Sequence, residues 1–407
     1  MMTKCLICQS DMDPFISFGK MPIANNFILP EQFVGEYFFE LKVGFCNVCN
    51  MVQLTELVDR ERMFHDHYAF YSSTSGRMAL HFEEFADSVC RNYLGNSNPF
   101  VVEIGSNDGI MLRHFAKRGV NHLGVEPSSN VAQVAIDKGM NVTKEFFDAG
   151  LAKRILEENG QADAILGANV MCHIPYLHSI VEGVKLLLKP NGVLIFEDPY
   201  LGDIVEKTSY DQIYDEHAFY FSLTSVSYLF DLYGLEVIHV EPQDVHGGSL
   251  RYFISHRNAY QASPSVAHTL EKEKRMGLHR NETYENLRKR IERSKEGLVG
   301  LLEALRKQDK RIVGYAATSK STTILNYCHI TPELIEFISD TTPIKQGKFS
   351  PGVHIPIKAH DVFKENYPDY ALLFAWNHSK EILEKEKRFS NLGGKWIVYV
   401  PEVKVLQ

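Results

Sequence analysis

Long apolar runs and an excess of positive charge are both missing from this 407-residue sequence. No apolar stretch approaches the ~18 residues that a membrane-spanning helix needs, and the N-terminal letters MMTKCLICQS lack the apolar core of a signal peptide. Acidic residues outnumber basic ones by 51 to 43, for a net charge of −8, so the basic footprint of a nucleic-acid-binding protein is absent. We therefore expect a cytoplasmic protein that binds neither membranes nor nucleic acid.

Cysteine is scarce as well, with seven residues in the whole chain, and an odd number in such a sequence does not predict a disulfide framework. Four of the seven form two C-x-x-C pairs, namely Cys5, Cys8, Cys46 and Cys49. Two such pairs predict a tetrahedral zinc site, with a redox pair or an iron–sulfur cluster as alternatives. Because sulfur fills all four positions, this zinc is expected to fold the N-terminal domain and not to carry out chemistry.

The stretch 101–112, VVEIGSNDGIML, reads as a strand, a glycine turn and the start of a helix. Its pattern is E-x-G-x-x-x-G, the shape of the loop that binds S-adenosylmethionine (SAM). Glu126 ends the next apolar strand, about 20 residues after the glycine turn, where a carboxylate can accept hydrogen bonds from ribose hydroxyls. The predicted cofactor-binding residues are Glu103, Gly105, Asn107, Gly109, Glu126, Pro127 and Asn169.

Apolar strands alternate with helices after this turn, which favours a doubly wound parallel sheet. The predicted strands are 122–125, 164–168 and 192–197, and Pro190 and Gly192 are expected to stop the helix before the last of them. The fold class is therefore α/β, a Rossmann-like sheet with a turn of the SAM-binding pattern. A Rossmann-like domain that binds another nucleotide is the alternative.

Three segments carry candidate chemistry. His173 follows a strand and is a candidate acid or base, although a buried histidine with satisfied hydrogen bonds is a common alternative. Tyr214, Glu216 and His217 bring a phenol, a carboxylate and an imidazole within four positions, a set that suits a general base. The segment 65–75, rich in hydroxyl and imidazole groups, either lies across the mouth of the cofactor site or caps a helix that begins near Ser75.

The segment 245–251, VHGGSLR, precedes a strand-like stretch. Its glycines, Ser249 and Arg251 are predicted to hold a pyrophosphate through backbone N–H groups and a guanidinium, with a simple hairpin turn as the alternative.

The last part of the chain repeats the α/β pattern. An amphipathic helix over 268–310, broken near Gly277, leads to strands at 311–316, 335–339 and 370–375. The strand ends carry Ser319, Lys320, Asp340 and Asn377, which suit a polar, nucleotide-like group. We expect a C-terminal second Rossmann-like α/β domain, with a purely structural domain as the alternative.

Six motifs together with the cysteine pairs resemble, in order, the sugar C-methyltransferases that act on nucleotide-linked keto-deoxysugars. The motifs are YSSTS, EIGSNDG, NVMCHIP, YDQIYDEH, HGGSLR and PGVHIPI. The resemblance implies three domains: a zinc-binding domain over residues 1–70, a SAM-dependent methyltransferase domain over 71–245, and a C-terminal sugar-nucleotide-binding α/β domain over 246–407.

The resemblance also implies the reaction, which is methylation at C3 of a nucleotide-linked 4-keto-6-deoxyhexose through an enolate. His217 would be the base and Glu216 would orient it, while Tyr68, His173 and Tyr214 would line the sugar or stabilise the enolate. The substrate-binding residues would be Tyr71, Ser72, Ser73, His246, Ser249, Arg251, Lys320 and Asn377. A monomer is expected, and dTDP-, GDP- and CDP-linked sugars all remain open as substrates.

Two other classes remain open. A SAM-dependent O- or N-methyltransferase whose zinc ribbon grips RNA or protein would need a basic zinc domain, yet the first 60 residues are not basic. A non-catalytic SAM- or sugar-binding module would lack the cluster of Tyr214, Glu216 and His217, which is intact.

Overall fold

The computed structural model describes residues 3–59, 63, 76–95 and 97–406. Within these residues the strands form three sheets of five, seven and six strands. Elements are numbered below in chain order. The α/β class and the Rossmann-like sheets predicted from the sequence are confirmed.

The N-terminal sheet is antiparallel, in the order β1-β2-β3-β4-β10. In the third strand, Phe39, Leu41 and Val43 are buried while the residues between them are more exposed, which is the alternation of a half-buried strand. The bounds are β1 (Thr3–Lys4), β2 (Asp11–Pro22), β3 (Phe38–Phe45), β4 (Val52–Leu54) and β10 (Phe219–Tyr220). Because β10 comes directly after the Tyr214 to His217 cluster, its pairing with β4 ties that cluster to the N-terminal sheet.

The central sheet has seven strands in the order β11-β12-β9-β8-β5-β6-β7, with antiparallel pairing only at β9, β12 and β11. Its bounds are β5 (Phe100–Ile104), β6 (Asn121–Val125), β7 (Val142–Thr143), β8 (Ala162–Ala168), β9 (Leu188–Pro199), β11 (Leu235–Gln243) and β12 (Ser249–His256). Both β11 and β12 belong to this sheet. The sheet therefore runs past the predicted domain boundary at 245/246, which falls in the turn between these two strands.

Within the described part of the chain, seven helices accompany the central sheet: α1 (Gly76–Tyr93), α2 (Leu112–Ala116), α3 (Ser129–Asp137), α4 (Ala149–Asn159), α5 (Leu177–Leu187), α6 (Leu201–Lys207) and α7 (Leu223–Asp231). Helix α5 ends at Leu187, before the predicted stop, and Pro190 and Gly192 lie inside β9. The helix end predicted at Lys189 is two residues too late, although Pro190 lies three residues beyond Leu187, the usual spacing of a proline that stops a helix. Proline disfavours helical backbone at the residue before it, so the chain is already extended at Lys189.

Two long helices lead to the last sheet. The predicted break near Gly277 is confirmed, because α8 (Pro264–Met276) ends there and α9 (Asn281–Arg306) follows. Gly277 has φ +71°, a left-handed conformation that glycine adopts without steric cost.

The C-terminal sheet has six strands in the order β15-β14-β13-β16-β17-β18, and only β17–β18 is antiparallel. Its strands are β13 (Ile312–Tyr315), β14 (Ile338–Asp340), β15 (Ile357–Ala359), β16 (Tyr370–Leu373), β17 (Lys395–Val398) and β18 (Lys404–Leu406). Its helices are α10 (Ser319–Tyr327), α11 (His360–Glu365), α12 (Ser379–Lys385) and α13 (Lys387–Asn391).

One hydrophobic core joins all three parts of the chain. Phe18 of β2 lies with its ring centroid 4.8 Å from that of Tyr327 in α10, and Tyr210 lies 6.0 Å from Tyr327. This shared packing holds the three sheets together around the cavity described below. None of the helices in the described residues has the length and apolar character to cross a membrane.

Candidate active site

The four cysteines of the two C-x-x-C pairs converge. Cys5 Sγ lies 3.5 Å from Cys49 Sγ, Cys8 Sγ lies 3.4 Å from Cys46 Sγ, and all four sulfurs lie within 4.8 Å of one another. Tetrahedral zinc–sulfur bonds of about 2.3 Å would place the sulfurs ~3.8 Å apart, so the four thiols fit one zinc ion.

Each C-x-x-C pair lies in a backbone turn, and the two turns have the same hydrogen-bond pattern. Gln9 N–H donates to Cys5 O and Asn50 N–H donates to Cys46 O, and both Gln9 and Asn50 have a positive φ. Each turn brings its two sulfurs to the same side. All four ligand positions are thiolates, so this zinc is structural.

A cavity of about 330 Å³ lies where the three sheets meet. The N-terminal part supplies Asn25, the central sheet supplies the glycine turn and the residues at its strand ends, and the C-terminal domain supplies the start of α10 and the residues that follow β16. The cavity therefore combines residues that are far apart in sequence.

The glycine turn forms one wall, with Gly105, Asn107, Glu126, Pro127 and Asn169 all lining the cavity. Gly105 has φ +68°, and a Cβ there would lie 2.7 Å from a methyl carbon of Val170. The wall has this shape only because the residue is glycine.

Glu126 is held by the turn that it faces. Its Oε2 accepts from Asn107 N–H at 3.0 Å and its Oε1 accepts from Ser128 N–H at 2.8 Å. A carboxylate offers about four lone-pair positions, so both oxygens can still accept from ribose hydroxyls. The geometry fits the adenosine part of SAM.

Two of the predicted cofactor residues support this wall from behind. The buried Glu103 carboxyl accepts from Leu112 N–H, and burial together with the nearby Glu126 and Asp108 raises its pKa. Gly109 packs against the side chain of Met140, where a Cβ would lie 2.4 Å from the methyl carbon.

His217 lines the cavity with its tautomer set by two hydrogen bonds. Nδ1–H donates to Gln212 O at 2.8 Å, which leaves Nε2 as the acceptor for the Tyr214 hydroxyl, also at 2.8 Å. Burial, and then the neighbouring His173, lower the pKa of His217 well below its usual value. The imidazole is therefore neutral at neutral pH, as a proton acceptor must be.

His173 lies beside His217 in the same cavity wall. The two rings are stacked with centroids 5.1 Å apart, and burial lowers the pKa of His173 to about 4. Two neutral imidazoles thus face the cavity together.

The structure corrects the role predicted for Glu216. Both nitrogens of His217 have other partners, and Glu216 Oε1 instead accepts from Asn25 Nδ2 at 2.7 Å. A backbone oxygen, that of Gln212, orients the imidazole. Burial and the adjacent Asp215 raise the pKa of Glu216 to about 8, and burial raises that of Asp215 to about 7.

The opposite wall comes from the C-terminal sheet and the 245–248 turn. Lys320 Nζ donates to His246 O and to Asn377 Oδ1, each at 3.3 Å, and its ammonium lies 5.1 Å from the Trp376 ring centroid. Burial lowers the pKa of Lys320 and lowers that of His246 to about 3. Ser319, Lys320, His246 and Asn377 all line the cavity.

Ser249 and Arg251 are placed elsewhere, which corrects their predicted pyrophosphate role. Arg251 is buried in β12, where Nε and Nη2 donate to Glu197 Oε2 at 2.9 and 2.7 Å. Ser249 Oγ donates to Val245 O at 3.3 Å. The segment forms the hairpin turn between β11 and β12, which was the alternative interpretation of its glycines.

Four predicted residues, Tyr68, Tyr71, Ser72 and Ser73, lie outside the described residues. Conversely, sequence reasoning missed Asn25 and Gln212. Asn25 stands in a turn-rich stretch, MPIANNF, and Gln212 contributes through its backbone oxygen, so no local pattern marked either of them.

Three family models match the chain. They are a C-methyltransferase C-terminal domain over residues 244–401, a methyltransferase domain over 78–240 and a zinc binding domain over 5–64. The last match and the four converging sulfurs identify the N-terminal part as zinc-binding.

Known proteins resemble the chain to different extents. C-methyltransferase NovU of Streptomyces niveus is 35% identical over 407 residues, which covers 99% of this chain and 96% of NovU. The ubiquinone biosynthesis O-methyltransferase of Acinetobacter baylyi is 28% identical over 99 residues, 24% of this chain and 42% of that enzyme. A solved SAM-dependent methyltransferase from Anabaena variabilis is 17% identical and has a TM-score of 0.34, covering 43% of this chain and 84% of the other.

Proposed function

The chain belongs to the C-methyltransferases that use SAM, and from this premise we propose that it methylates C3 of a nucleotide-linked 4-keto-6-deoxyhexose. The observation that carries the proposal is the single cavity lined by the glycine turn, by His217 and His173, and by Lys320. A cofactor, a base and an anionic second ligand can meet there.

His217 is the proposed base. The 4-keto group acidifies the C3 proton, which moves to Nε2 of His217 while the electron pair of the C–H bond forms the enolate. The Tyr214 hydroxyl donates a hydrogen bond to Nε2 in this structure, so the phenol must turn away before Nε2 can accept the C3 proton. When bound, SAM supplies an electrophilic methyl group for the carbanion carbon.

The enolate oxygen needs hydrogen-bond donors. Tyr214 carries a phenol O–H that is hydrogen-bonded to His217, and the ring of His173 stacks on that of His217. Burial and the adjacent Asp215 raise the pKa of Glu216 to about 8, which favours its protonated form, so we propose Glu216 as a further donor to the oxyanion. Tyr68 stays a proposed member of this set.

The sugar nucleotide is proposed to lie against the C-terminal wall. Lys320 brings a buried ammonium group to the cavity, and the first turn of α10 presents backbone N–H groups at its N-terminus. Both features favour a diphosphate. Asn377, Ser319 and His246 supply neutral polar groups beside it.

The test follows proton abstraction and methyl transfer separately. The protein is incubated in D₂O with a panel of dTDP-, GDP- and CDP-linked 4-keto-6-deoxyhexoses, with and without SAM, and the products are weighed by mass spectrometry. Wild type should incorporate deuterium at C3 without SAM and gain one methyl group with it. His217→Asn should lower both rates by about 100-fold or more, with unchanged affinity for S-adenosylhomocysteine.

The matched control is His279→Asn, because His279 is an exposed histidine on the surface, and this variant should keep wild-type rates. Full deuterium exchange in His217→Asn would assign the base to another residue. If wild type binds S-adenosylhomocysteine but no keto-sugar exchanges or gains a methyl group, the proposed substrate class is wrong.

A further inference from the structure

In the segment that follows β2, residues of the zinc-binding domain contact the elements that line the active site. Ala24 N–H donates to Asp215 Oδ1 at 2.9 Å, and Ala24 O accepts from Thr322 Oγ1 at 2.8 Å. One buried residue thus ties the zinc-binding domain both to the Tyr214 to His217 cluster and to α10.

The side chain of the next residue, Asn25, also forms hydrogen bonds to the Tyr214 to His217 cluster and to α10. Asn25 Nδ2 donates to Glu216 Oε1 at 2.7 Å, and Asn25 Oδ1 accepts from Ser319 Oγ at 3.0 Å. Asn25, Glu216 and Ser319 all line the cavity. A donor and an acceptor on one rigid amide therefore meet complementary groups on the central and C-terminal parts of the chain.

The amide bond changes the protonation of Glu216 as well as its position. Burial and Asp215 raise the pKa of Glu216, whereas the hydrogen bond from Asn25 and the charge of the nearby Lys345 lower it. Loss of the amide would leave the carboxyl free to rotate and would raise its pKa further.

We propose that Asn25 is a positioning residue of the active site, which holds the Glu216 carboxyl toward the cavity and links it to Ser319 of α10. The zinc-binding domain thereby completes the active site and is not an independent appendage. This inference rests on the proposed function, because it treats Glu216 as an oxyanion donor.

The experiment compares Asn25→Ala with Asn26→Ala in the full-length, zinc-loaded protein. Asn26 is the same residue type one position along, and its side chain is exposed. Asn25→Ala should lower kcat about 10-fold, the factor that corresponds to one lost hydrogen bond, because the Glu216 carboxyl is then no longer held in place. Affinity for S-adenosylhomocysteine and zinc content should stay at the wild-type level, and Asn26→Ala should match wild type throughout.

A double-mutant cycle with Glu216→Gln decides whether Asn25 acts through Glu216. If it does, Asn25→Ala lowers kcat much less in the Glu216→Gln background than in wild type. An equal loss in both backgrounds, or an equal loss in Asn26→Ala, would overturn the proposal. Ser319→Ala, which removes the other bond of the amide, should reproduce part of the effect.

A second measurement needs no substrate and so separates this inference from the proposed function. A carboxyl whose folded pKa is raised loses stabilisation as pH rises from its unfolded value, about 4.5, toward its folded value. The free energy of unfolding should therefore fall between about pH 4.5 and about 8, the pKa of Glu216. Glu216→Gln should remove this part of the decline.

Asn25→Ala should extend the decline to higher pH, because it removes a bond that favours the charged form of Glu216. An unchanged pH profile in Asn25→Ala would overturn the inference even if the keto-sugars react. Conversely, a shifted profile with no keto-sugar turnover would leave the contact intact and reject the proposed substrate.

Discussion

In the central and C-terminal sheets, the first residue after one strand beside the cavity has the same backbone conformation and hydrogen bond. The two strands are β5 and β13. Gly105 follows β5 and donates its N–H to Val125 O at 2.8 Å, while Ala316 follows β13 and donates to Ser339 O at 2.8 Å. Both have a left-handed backbone, with φ +68° and +72°. The two residues occupy equivalent positions in two Rossmann-like sheets.

The acidic residue on the neighbouring strand is equivalent too. Glu126 accepts from Asn107 N–H and Ser128 N–H, and Asp340 accepts from Ala317 N–H and Thr342 N–H. Each carboxylate thus binds one amide of the facing turn and the amide two residues ahead of itself.

The difference lies in the length of the turn. After Gly105, six non-helical residues precede α2, which begins at Leu112. The carboxylate of this edge, Glu126, lines the cavity. After Ala316, α10 begins at Ser319, with Thr318 and Ser321 forming a capping box. A long turn leaves room for a nucleoside beside the carboxylate, whereas a short turn presents a helix N-terminus and Lys320, which suit an anion.

The largest effect should follow from replacing Gly105 with alanine, the residue that stands at the equivalent position, 316, of the C-terminal sheet. Gly105→Ala adds a Cβ that would lie 2.7 Å from Val170, in a left-handed conformation that alanine adopts at a cost. The turn must shift, so affinity for S-adenosylhomocysteine should fall about 100-fold. Isothermal titration calorimetry checks this, and unchanged affinity would show that the turn does not shape the cofactor wall.

The next effect separates the two carboxylates. Glu126→Gln keeps the size of the side chain but replaces one acceptor with a donor, so affinity for S-adenosylhomocysteine should fall about 10-fold or more. Asp340→Asn is the matched change on the other sheet and should leave that affinity intact. Equal losses in the same titration would mean that the two edges do not have separate ligands.

A smaller effect is expected at the C-terminal edge. Lys320→Met keeps the apolar length of the side chain and removes its charge, so KM for the proposed sugar-nucleotide substrate should rise about 10-fold. Affinity for S-adenosylhomocysteine, measured in parallel, should not change. An unchanged KM would remove Lys320 from the proposed diphosphate site.

The smallest effect concerns stability alone. Ala316→Gly relieves a left-handed alanine, a gain of ~1–2 kcal/mol, against ~0.4–1 kcal/mol from the more flexible unfolded chain. The free energy of unfolding in urea should therefore rise by about 0.5 kcal/mol. A decrease would show that the alanine side chain contributes packing that outweighs its strain.

Much of the fold was predictable because its signals are local. Two C-x-x-C pairs, the turn with Gly105 and the break at Gly277 each depend on a few consecutive residues, and the structure contains all three. The stop of α5 was predicted two residues or more too late, because proline acts on the residue before it. The sequence pattern indicated that β12 is a strand, but only its pairing with β9 assigned it to the central sheet.

The site was predictable only in part. His217, Tyr214 and Lys320 line the cavity as their neighbourhoods suggested, whereas the buried Glu197 holds Arg251 away from it. The pairing partner of a guanidinium comes from a neighbouring strand, and spacing along the chain does not reveal it.

The sequence by itself determined which chemical groups this protein has: four cysteines at the spacing of a zinc site, a glycine turn with the pattern of a SAM loop, and a segment that carries Tyr214, Glu216 and His217. The tertiary structure alone decided how they act together, because Gln212 O sets the tautomer of His217 and Asn25 reaches Glu216 across 191 positions of the chain. Local spacing sets backbone turns, but a hydrogen bond between distant segments exists only once a shared core has brought them together.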